Sequence, residues 1–309
     1  MFEKVVLVTR KTRLQGLTAQ FNTVAQARFY LEHAGCDFRD YELEDAHYRR
    51  SLETVRRSLE HFDGTLKLHI MDRELVPTAL FSGKDIVVAL GQDGLVANTA
   101  KYVGGQPILG TNPDPERFDG LLLPFSPAQV EGSVERVLDG RAQVREVTLA
   151  QARLNDGQRL LAFNDLFIGA KTHISARYRI RVGEREAVHS SSGLLVSTGA
   201  GSTGWLSSVF NMAAAVTAIG GGQPPAPVRL DWSDRRLFFV VREPFASRHS
   251  SVDLAIGMID PGTALTIESL MPGQGTIFSD GMEADFLRFD SGAVAQIDVA
   301  PERARLVVG

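Results

Sequence analysis

Residues 86–94 read IVVALGQDG, an apolar run that ends in a turn of glycine and aspartate. An uninterrupted run of this kind is typical of a parallel strand that is covered on both faces. A short helix is predicted directly after the turn, at 95–103. The stretch therefore predicts a strand, a turn and a helix of an α/β sheet, with Asp93 in the turn.

Strand and helix signals alternate on either side of this stretch. Apolar runs predict strands, and apolar residues at helical spacing predict helices. The strands are predicted at 5–8, 66–71, 86–90 and 107–110, and the helices at 17–31 and 48–62. Because parallel strands need a covering crossover between them, we expect a Rossmann-like parallel α/β domain here.

The pattern changes after residue 140. A helix predicted at 127–140 is followed by short strand candidates that turn dipeptides separate. The strands are predicted at 159–163, 175–182, 193–197, 236–241, 264–268 and 294–299, and a loop at 220–227. We expect an α/β domain at 1–142 and a β-rich domain at 143–309. The sequence leaves open whether the last residues return to the first domain.

Composition excludes several classes of function. A net charge of -4 argues against a general nucleic-acid-binding protein. Cys36 is the only cysteine, so no internal disulfide can form and a cytoplasmic location is expected. The seven histidines show no metal-ligand spacing, so no protein-held metal site is expected. No apolar stretch approaches the roughly 20 residues that span a bilayer, so no membrane partner is expected.

Asp93 has two interpretations. An aspartate repels phosphate, so it suits a base for a substrate hydroxyl or a partner for magnesium. Gly91 and Gly94 would let a ligand approach the backbone, and the N–H groups at the start of the helix attract phosphate. Alternatively, Asp93 only caps the helix and Gly94 completes a tight turn.

Two polar segments of the second half suit a nucleotide. Asn164 offers a donor and an acceptor, and Asp165 can accept hydrogen bonds from ribose hydroxyls. Residues 197–205 leave room for a flat ligand, with Trp205 as a stacking wall. The alternatives are an ordinary Asn-Asp turn and a flexible loop that the tryptophan anchors.

Asp280 and Gly281 form a strong hairpin signal. The carboxylates in this region could also reach a ribose or a metal. Arg242 and Arg248 form a basic element that could contact phosphate, although a surface ion pair is the simpler interpretation.

The order of these motifs along the chain resembles the NAD kinase family. The motifs are Gly91-Gln92-Asp93-Gly94, Gly110-Thr111-Asn112, Asn164-Asp165 and Gly201-Ser202-Thr203. Details similar to the mitochondrial-type branch are Thr111-Asn112-Pro113-Asp114-Pro115, Leu121-Leu122-Leu123-Pro124, Ser191-Ser192-Gly193-Leu194, and Arg242-Glu243-Pro244 with Arg248. The resemblance spans most of the chain.

The resemblance implies a substrate cleft between an α/β and a β-rich domain, and phosphoryl transfer from ATP, with Mg²⁺, to the adenosine 2′-hydroxyl of NAD. Asp93 would orient or deprotonate that hydroxyl. Asn164 and Asp165 would hold a nucleoside, and Ser202 and Thr203 would line the adenine and ribose pocket. The other nucleotide-binding residues would be Gly91, Gln92, Gly94, Asn112, Thr198, Gly201 and Asp280. A homodimer or a higher homo-oligomer is expected by the same analogy.

The sequence departs from the family at four places. The family usually has glycine at Gln92, threonine at Leu95, glutamate at Asp165 and a proline just before the loop at 201–203. A side chain at position 92 would strain the backbone if that position required a positive φ. Two alternatives therefore stay open: a nucleotide sensor without catalysis, and a kinase for another hydroxyl, such as that of a sugar or a lipid.

Overall fold

The computed structural model describes residues 1–309. The chain divides into two compact units. One comprises residues 1–145 and 305–309, and the other comprises residues 146–304. The predicted combination of an α/β part and a β-rich part is confirmed. None of the helices is both long enough and apolar enough to cross a membrane.

The first unit is built on a parallel sheet. Its strands are β1 (Lys4–Thr9), β2 (Lys67–Asp72), β3 (Asp85–Leu90) and β4 (Pro107–Thr111), in the order β2-β1-β3-β4. Every residue of β3 is buried, as the apolar run predicts. Arg305 and Leu306, close to the end of the chain, pair in parallel with β4. The carboxyl ends of the parallel strands therefore share one edge.

Five helices accompany this sheet. They are α1 (Arg13–Phe21), α2 (Val24–His33), α3 (Phe38–Glu60), α4 (Asp93–Ala100) and α5 (Val130–Leu138). The prediction of one helix at 17–31 was wrong, because Asn22 adopts a left-handed φ of 66° and Thr23 caps a new helix. α3 begins ten residues earlier than predicted, where the Asp37 side chain accepts a hydrogen bond from the Arg39 N–H.

The second unit contains two sheets. The strands are β5 (Gln143–Leu154), β6 (Arg159–Ala162), β7 (Asp165–Ala170), β8 (Ala176–Val182), β9 (Arg185–Ser191), β10 (Leu194–Ser197), β11 (Leu237–Val241), β12 (Ile256–Ile259), β13 (Leu265–Ser269), β14 (Gly275–Ser279), β15 (Met282–Arg288) and β16 (Val294–Val308). The first residues of β5 and the last residues of β16 belong to the first unit. One sheet has the antiparallel order β12-β11-β10-β7-β14-β15. The other has β16, β13, β8 and β9 in line, and β5 pairs with β16 and β6.

The inner faces of the two sheets form the main core of this unit. Along β7, Leu166 and Ile168 point into that core, together with apolar residues of β8, β13 and β16. Because side chains alternate along a strand, Asp165, Phe167 and Gly169 lie on the opposite face. This outer face carries the polar motifs of the sequence.

A helix that the sequence did not predict, α6 (Trp205–Ile219), lies on the outer face. Its Leu206 packs against Leu195, Phe238 and Val240. The helix contains no charged residue, so the alternation of polar and apolar faces that identifies a surface helix is absent. The sequence also missed six strands, β5, β7, β9, β12, β14 and β15.

Candidate functional site

Asp93 lies at the carboxyl edge of the parallel sheet and is the first residue of α4. Its Oδ1 accepts a hydrogen bond of 2.6 Å from the backbone N–H of Leu122. The carboxylate is partly exposed, and its second oxygen has no hydrogen-bond partner within the protein. One oxygen therefore fixes the orientation of the group, and the other is available for chemistry.

The Leu122 peptide is held from two sides. Besides the Asp93 contact, its carbonyl oxygen lies against Gly110, where an added Cβ would come within 1.9 Å of it. Only glycine fits such a close approach of two backbones. The Leu122 peptide thus packs against Gly110 and orients the Asp93 carboxylate.

The glycines next to Asp93 have different constraints. A Cβ at Gly91 would come within 2.8 Å of the buried Leu95 side chain, so a larger residue at position 91 would have to displace the end of that leucine. A Cβ at Gly94 would meet nothing within 4 Å. Gln92 has φ -105° and ψ 166°, which is ordinary extended backbone, and its side chain is exposed. The strain that a side chain at position 92 would cause under a positive φ is therefore absent.

Asn112 lies beside this turn, and both polar atoms of its side chain form hydrogen bonds within its own loop. Its Oδ1 accepts from the Asp114 N–H at 3.0 Å, and its Nδ2 donates to the Phe118 carbonyl at 2.9 Å. The residue is 5% exposed. Its side chain shapes the loop that follows β4, and its predicted contact with a nucleotide stays a prediction.

The sequence missed Arg10, a buried arginine at the same edge. It follows β1 directly, and a Cβ on Gly91 would lie 3.4 Å from its Cδ. The guanidinium donates to Glu44 at 3.0 Å, and its buried Nε has no partner. A basic residue at the carboxyl end of a predicted parallel strand is the signal that could have identified it.

In the second unit, Asp280 organises the turn that contains Asn164 and Asp165. Its carboxylate accepts hydrogen bonds from three consecutive backbone N–H groups, those of Phe163 at 2.9 Å, Asn164 at 2.6 Å and Asp165 at 3.2 Å. Asp280 itself has a φ of 53° and forms the predicted hairpin turn between β14 and β15. It therefore acts as an anchor for this turn.

The glycine-rich loop packs against the same turn. Thr198 Oγ1 donates to the Phe163 carbonyl at 2.6 Å and accepts from the Gly201 N–H at 3.2 Å. A Cβ on Gly201 would lie 2.1 Å from the Asn164 carbonyl oxygen, so only glycine fits. Three segments distant in sequence are thus brought together: the 163–165 turn, the 198–203 loop and the 279–281 hairpin turn.

The remaining predicted residues differ in how accessible they are. Ser202 is buried and donates to the Gly199 carbonyl at 2.8 Å, whereas Thr203 is exposed just before α6. The half-buried Asn164 side chain has no hydrogen-bond partner within the protein, so its amide is free to bind a ligand.

Asp165 is a buried carboxyl that lies close to a second one. It is 6% exposed. Burial, and after it the nearby charge of Asp280, raises the pKa of Asp165 to about 7. A carboxyl perturbed in this way is a recognised sign of a functional site. No group of three or more His, Cys, Asp or Glu side chains is arranged to hold a metal ion.

Comparison with known proteins gives relatives of one kind. No family model matches the chain. A probable NADH kinase of Oryza sativa subsp. japonica is 27% identical over 221 residues, which cover 64% of this chain and 63% of the relative. The NAD kinase of Chlorobium limicola is 32% identical over 129 residues, which cover 39% of this chain and 43% of the relative. The matches thus span less than two thirds of these relatives.

Solved structures share the whole fold. An NAD kinase from Archaeoglobus fulgidus in complex with ATP matches with a TM-score of 0.56 and 17% identity over 98% of this chain and 93% of that one. A yeast NADH kinase complexed with NADH matches with a TM-score of 0.56 and 15% identity, over 100% of this chain and 84% of that one.

The chain is thus similar to NAD kinases and NADH kinases in sequence and in fold. This similarity agrees with the order of motifs in the sequence. The residues predicted from the resemblance form two groups, and each group lies together within one unit. The first unit holds Gly91 to Gly94, and the second holds Asn164, Asp165, Thr198, Gly201 and Asp280. The individual roles of these residues, and the placement of the substrate in a cleft, stay predictions.

Proposed function

We propose that this protein transfers the γ-phosphoryl group of ATP to the adenosine 2′-hydroxyl of NAD and so makes NADP. The observation that carries the proposal is the Asp93 carboxylate at the start of α4, oriented by the Leu122 N–H and with one free oxygen. Relatives named NAD kinase and NADH kinase support the choice of substrate.

In the proposed reaction, the free oxygen of Asp93 accepts the proton of the 2′-hydroxyl. The hydroxyl oxygen forms a bond to the γ-phosphorus, and the bond from that phosphorus to the bridging β–γ oxygen breaks. ADP leaves with the bridging oxygen. Magnesium enters as part of the ATP substrate and neutralises phosphate charge. The protein supplies position and a base, which are the main needs of phosphoryl transfer.

The second unit would hold the dinucleotide. The free amide of Asn164 can donate to and accept from a nucleoside, and Asp165 can accept from ribose hydroxyls once it is ionised. Asp280 and Thr198 would act on the ligand indirectly, since their side chains are engaged by backbone groups of the 163–165 turn. Residues 1–142, joined by the last residues of the chain, would thus serve as the kinase domain, and the rest of 143–309 as the substrate-binding domain.

A homodimer or higher homo-oligomer in the cytoplasm is part of the proposal. On α6, the apolar side chains of Met212, Val216 and Ile219 are exposed, which supports association through an apolar surface. The single cysteine, Cys36, supports a reducing compartment.

The test incubates purified protein with ATP, magnesium and NAD, and follows NADP with an NADP-specific dehydrogenase. Formation of NADP that depends on both ATP and magnesium is the expected result. Binding of both nucleotides without NADP above a no-enzyme control would contradict the proposal and favour a sensor. ATP consumption with a sugar or lipid acceptor, but not with NAD, would favour a different kinase.

A further inference from the structure

One segment of the first unit, residues 112–122, connects the end of β4 to the Leu122 N–H that orients Asp93. We call it the Leu122 loop. It overlaps two motifs of the sequence, at 111–115 and 121–124, to which the proposed reaction assigns no role. Because the loop orients the proposed base directly, a residue that holds the loop can affect the rate without contacting the substrate.

The Leu122 loop is compact. The Asn112 Nδ2 donates to the Phe118 carbonyl at 2.9 Å. A Cβ on Gly120, which has a φ of 66°, would lie 2.6 Å from the same nitrogen. The loop therefore folds around the Asn112 amide. Since closely packed segments transmit displacements, a shift of the outer part of the loop reaches the Leu122 peptide.

The outer part of the Leu122 loop rests on α3. The Ser51 Oγ donates to the Pro113 carbonyl at 2.7 Å. The His47 Nδ1 lies 3.2 Å from an oxygen of the Asp114 carboxylate. Residues 47 and 51 are four apart and so lie on one face of the helix. This face of α3 contacts the start of the loop.

A bidentate ion pair fixes the middle of the loop to the same helix. The Arg117 guanidinium donates to both oxygens of Asp40, at 2.6 and 3.2 Å. A bidentate pair of this kind also fixes the orientation of its two groups. The hydrogen bond from Arg117, and after it that from Arg13, holds the pKa of Asp40 well below its usual range. The Asp40 carboxylate is therefore ionised at any neutral pH, and the pair persists there.

α3 also fixes the segment that carries Asp93. The buried Tyr48 hydroxyl donates to the Leu90 carbonyl at 3.1 Å and accepts from the Arg10 N–H at 2.9 Å. Leu90 is the last residue of β3, directly before the turn at 91–94. One helix therefore contacts both segments that the hydrogen bond between Asp93 and Leu122 joins. A movement of the loop relative to α3 changes the geometry of that bond.

On the basis of the proposed function, we propose that Arg117 and Asp40 are positioning residues for the phosphoryl transfer: their ion pair holds the Leu122 loop on α3 and so keeps the Leu122 N–H against the Asp93 carboxylate. A single N–H within the protein orients that carboxylate, so a displaced loop lets it rotate. Misplacement of a reacting group by about 1 Å can lower a rate by about 10²-fold.

The first test measures kcat and KM for NAD and for ATP with the wild-type protein, Arg117→Ala and Arg117→Lys. Arg117→Ala should lower kcat by about tenfold and change either KM by less than about twofold, because the base is displaced and the substrates are not. Arg117→Lys keeps the charge but not the bidentate contact, so it should recover part of the loss. An unchanged kcat in Arg117→Ala would overturn the proposal.

Arg56→Ala is the matched control. It also removes a partly exposed arginine with two carboxylate partners, Glu53 and Glu60, but these lie within α3 itself. Exposed ion pairs contribute little to the free energy of unfolding, so both variants should fold and denature at nearly the wild-type midpoint. Arg56→Ala should keep the wild-type kcat. An equal fall of kcat in the two variants would show a general effect of charge and would overturn the proposal.

The second test does not depend on catalysis. Amide hydrogen exchange, followed by mass spectrometry on peptides that cover 119–125, measures how well the Leu122 N–H is protected. This amide should exchange about tenfold faster in Arg117→Ala than in the wild type or in Arg56→Ala, whereas the amides of β3 should keep their rates. Equal exchange at Leu122 would overturn this inference even if NADP is made. Faster exchange, with no NADP formed by the wild type, would instead contradict the proposed function and still support the positioning of Asp93 by the loop.

Discussion

Asp93-Gly94 and Asp280-Gly281 are both aspartate–glycine turns that follow a strand, one in each unit. The Asp93 carboxylate satisfies a single backbone N–H and keeps an oxygen free. The Asp280 carboxylate satisfies three backbone N–H groups and stands in a left-handed conformation with a φ of 53°. The same dipeptide therefore gives a carboxylate with a free oxygen in one unit and an anchor for a turn in the other. What distinguishes them is the number of backbone groups that each carboxylate must satisfy.

The strongest contrast is expected between Gly201→Ala and Gly94→Ala. At Gly201 the new Cβ would overlap the Asn164 carbonyl oxygen, 2.1 Å away, and neither backbone can yield easily. We expect a loss of about 4 kcal/mol in the free energy of unfolding or a failure to fold. At Gly94 there is open space, so alanine should change stability by less than about 1 kcal/mol. Chemical denaturation of both variants measures the contrast, and equal stabilities would contradict it.

Asp280→Asn should destabilise the second unit. Asparagine tolerates the left-handed conformation but replaces a charged acceptor with a neutral one, and one of its side-chain atoms is a donor. Because the side chain must accept from three N–H groups, we expect a loss of about 2 kcal/mol in the free energy of unfolding. Asp260→Asn, at an exposed aspartate of the same unit, is the control and should be nearly neutral. An equal loss in both variants would remove Asp280 from its anchoring role.

Asp165→Asn should change how stability depends on pH. The folded protein raises the pKa of Asp165 to about 7, so folding favours the neutral carboxyl. The neutral carboxyl's contribution to the free energy of unfolding is fully present below an ordinary carboxyl pKa of about 4, and it is lost as the pH rises through about 7. Between about pH 5 and about pH 8 the free energy of unfolding of the wild type should therefore fall by on the order of 2 kcal/mol relative to that of the variant. Denaturation series at several pH values measure the difference, and parallel curves would contradict the raised pKa.

Much of the first unit follows from its sequence, because buried parallel strands are apolar throughout. The strands at 5–8, 86–90 and 107–110 lie where they are predicted. The second unit was harder to predict. Its strands are short, and α6 lacks the polar face that identifies a surface helix.

The residues of the candidate site were easier to identify than their roles. Asp280 reaches backbone groups more than a hundred positions away in the chain, and no local pattern indicates such a contact. Likewise, the backbone conformation of Gln92 depends on how α4 begins, and only the structure showed that it is unstrained. Sequence spacing identifies a turn, but it does not show how many backbone N–H groups hydrogen-bond to the aspartate in that turn.

Gln92→Gly is expected to have the smallest effect of the series. The side chain is exposed and the φ of -105° suits any residue, so glycine relieves no strain. We expect the free energy of unfolding to change by less than about 1 kcal/mol. The rate of NADP formation should change by a factor of about three at most. A large gain in rate would show that the glutamine obstructs phosphate binding.

The most direct test compares Asp93→Asn with Asp280→Asn in one experiment that measures both the rate of NADP formation and the free energy of unfolding. In Asp93→Asn, the amide side chain would keep the contact with the Leu122 N–H through its carbonyl oxygen but would have no base in place of the free oxygen. We expect Asp93→Asn to lower kcat by about 10²- to 10⁴-fold with a nearly unchanged free energy of unfolding, whereas Asp280→Asn should mainly lower that free energy. A rate in Asp93→Asn that is comparable to the wild-type rate would show that Asp93 is not the base.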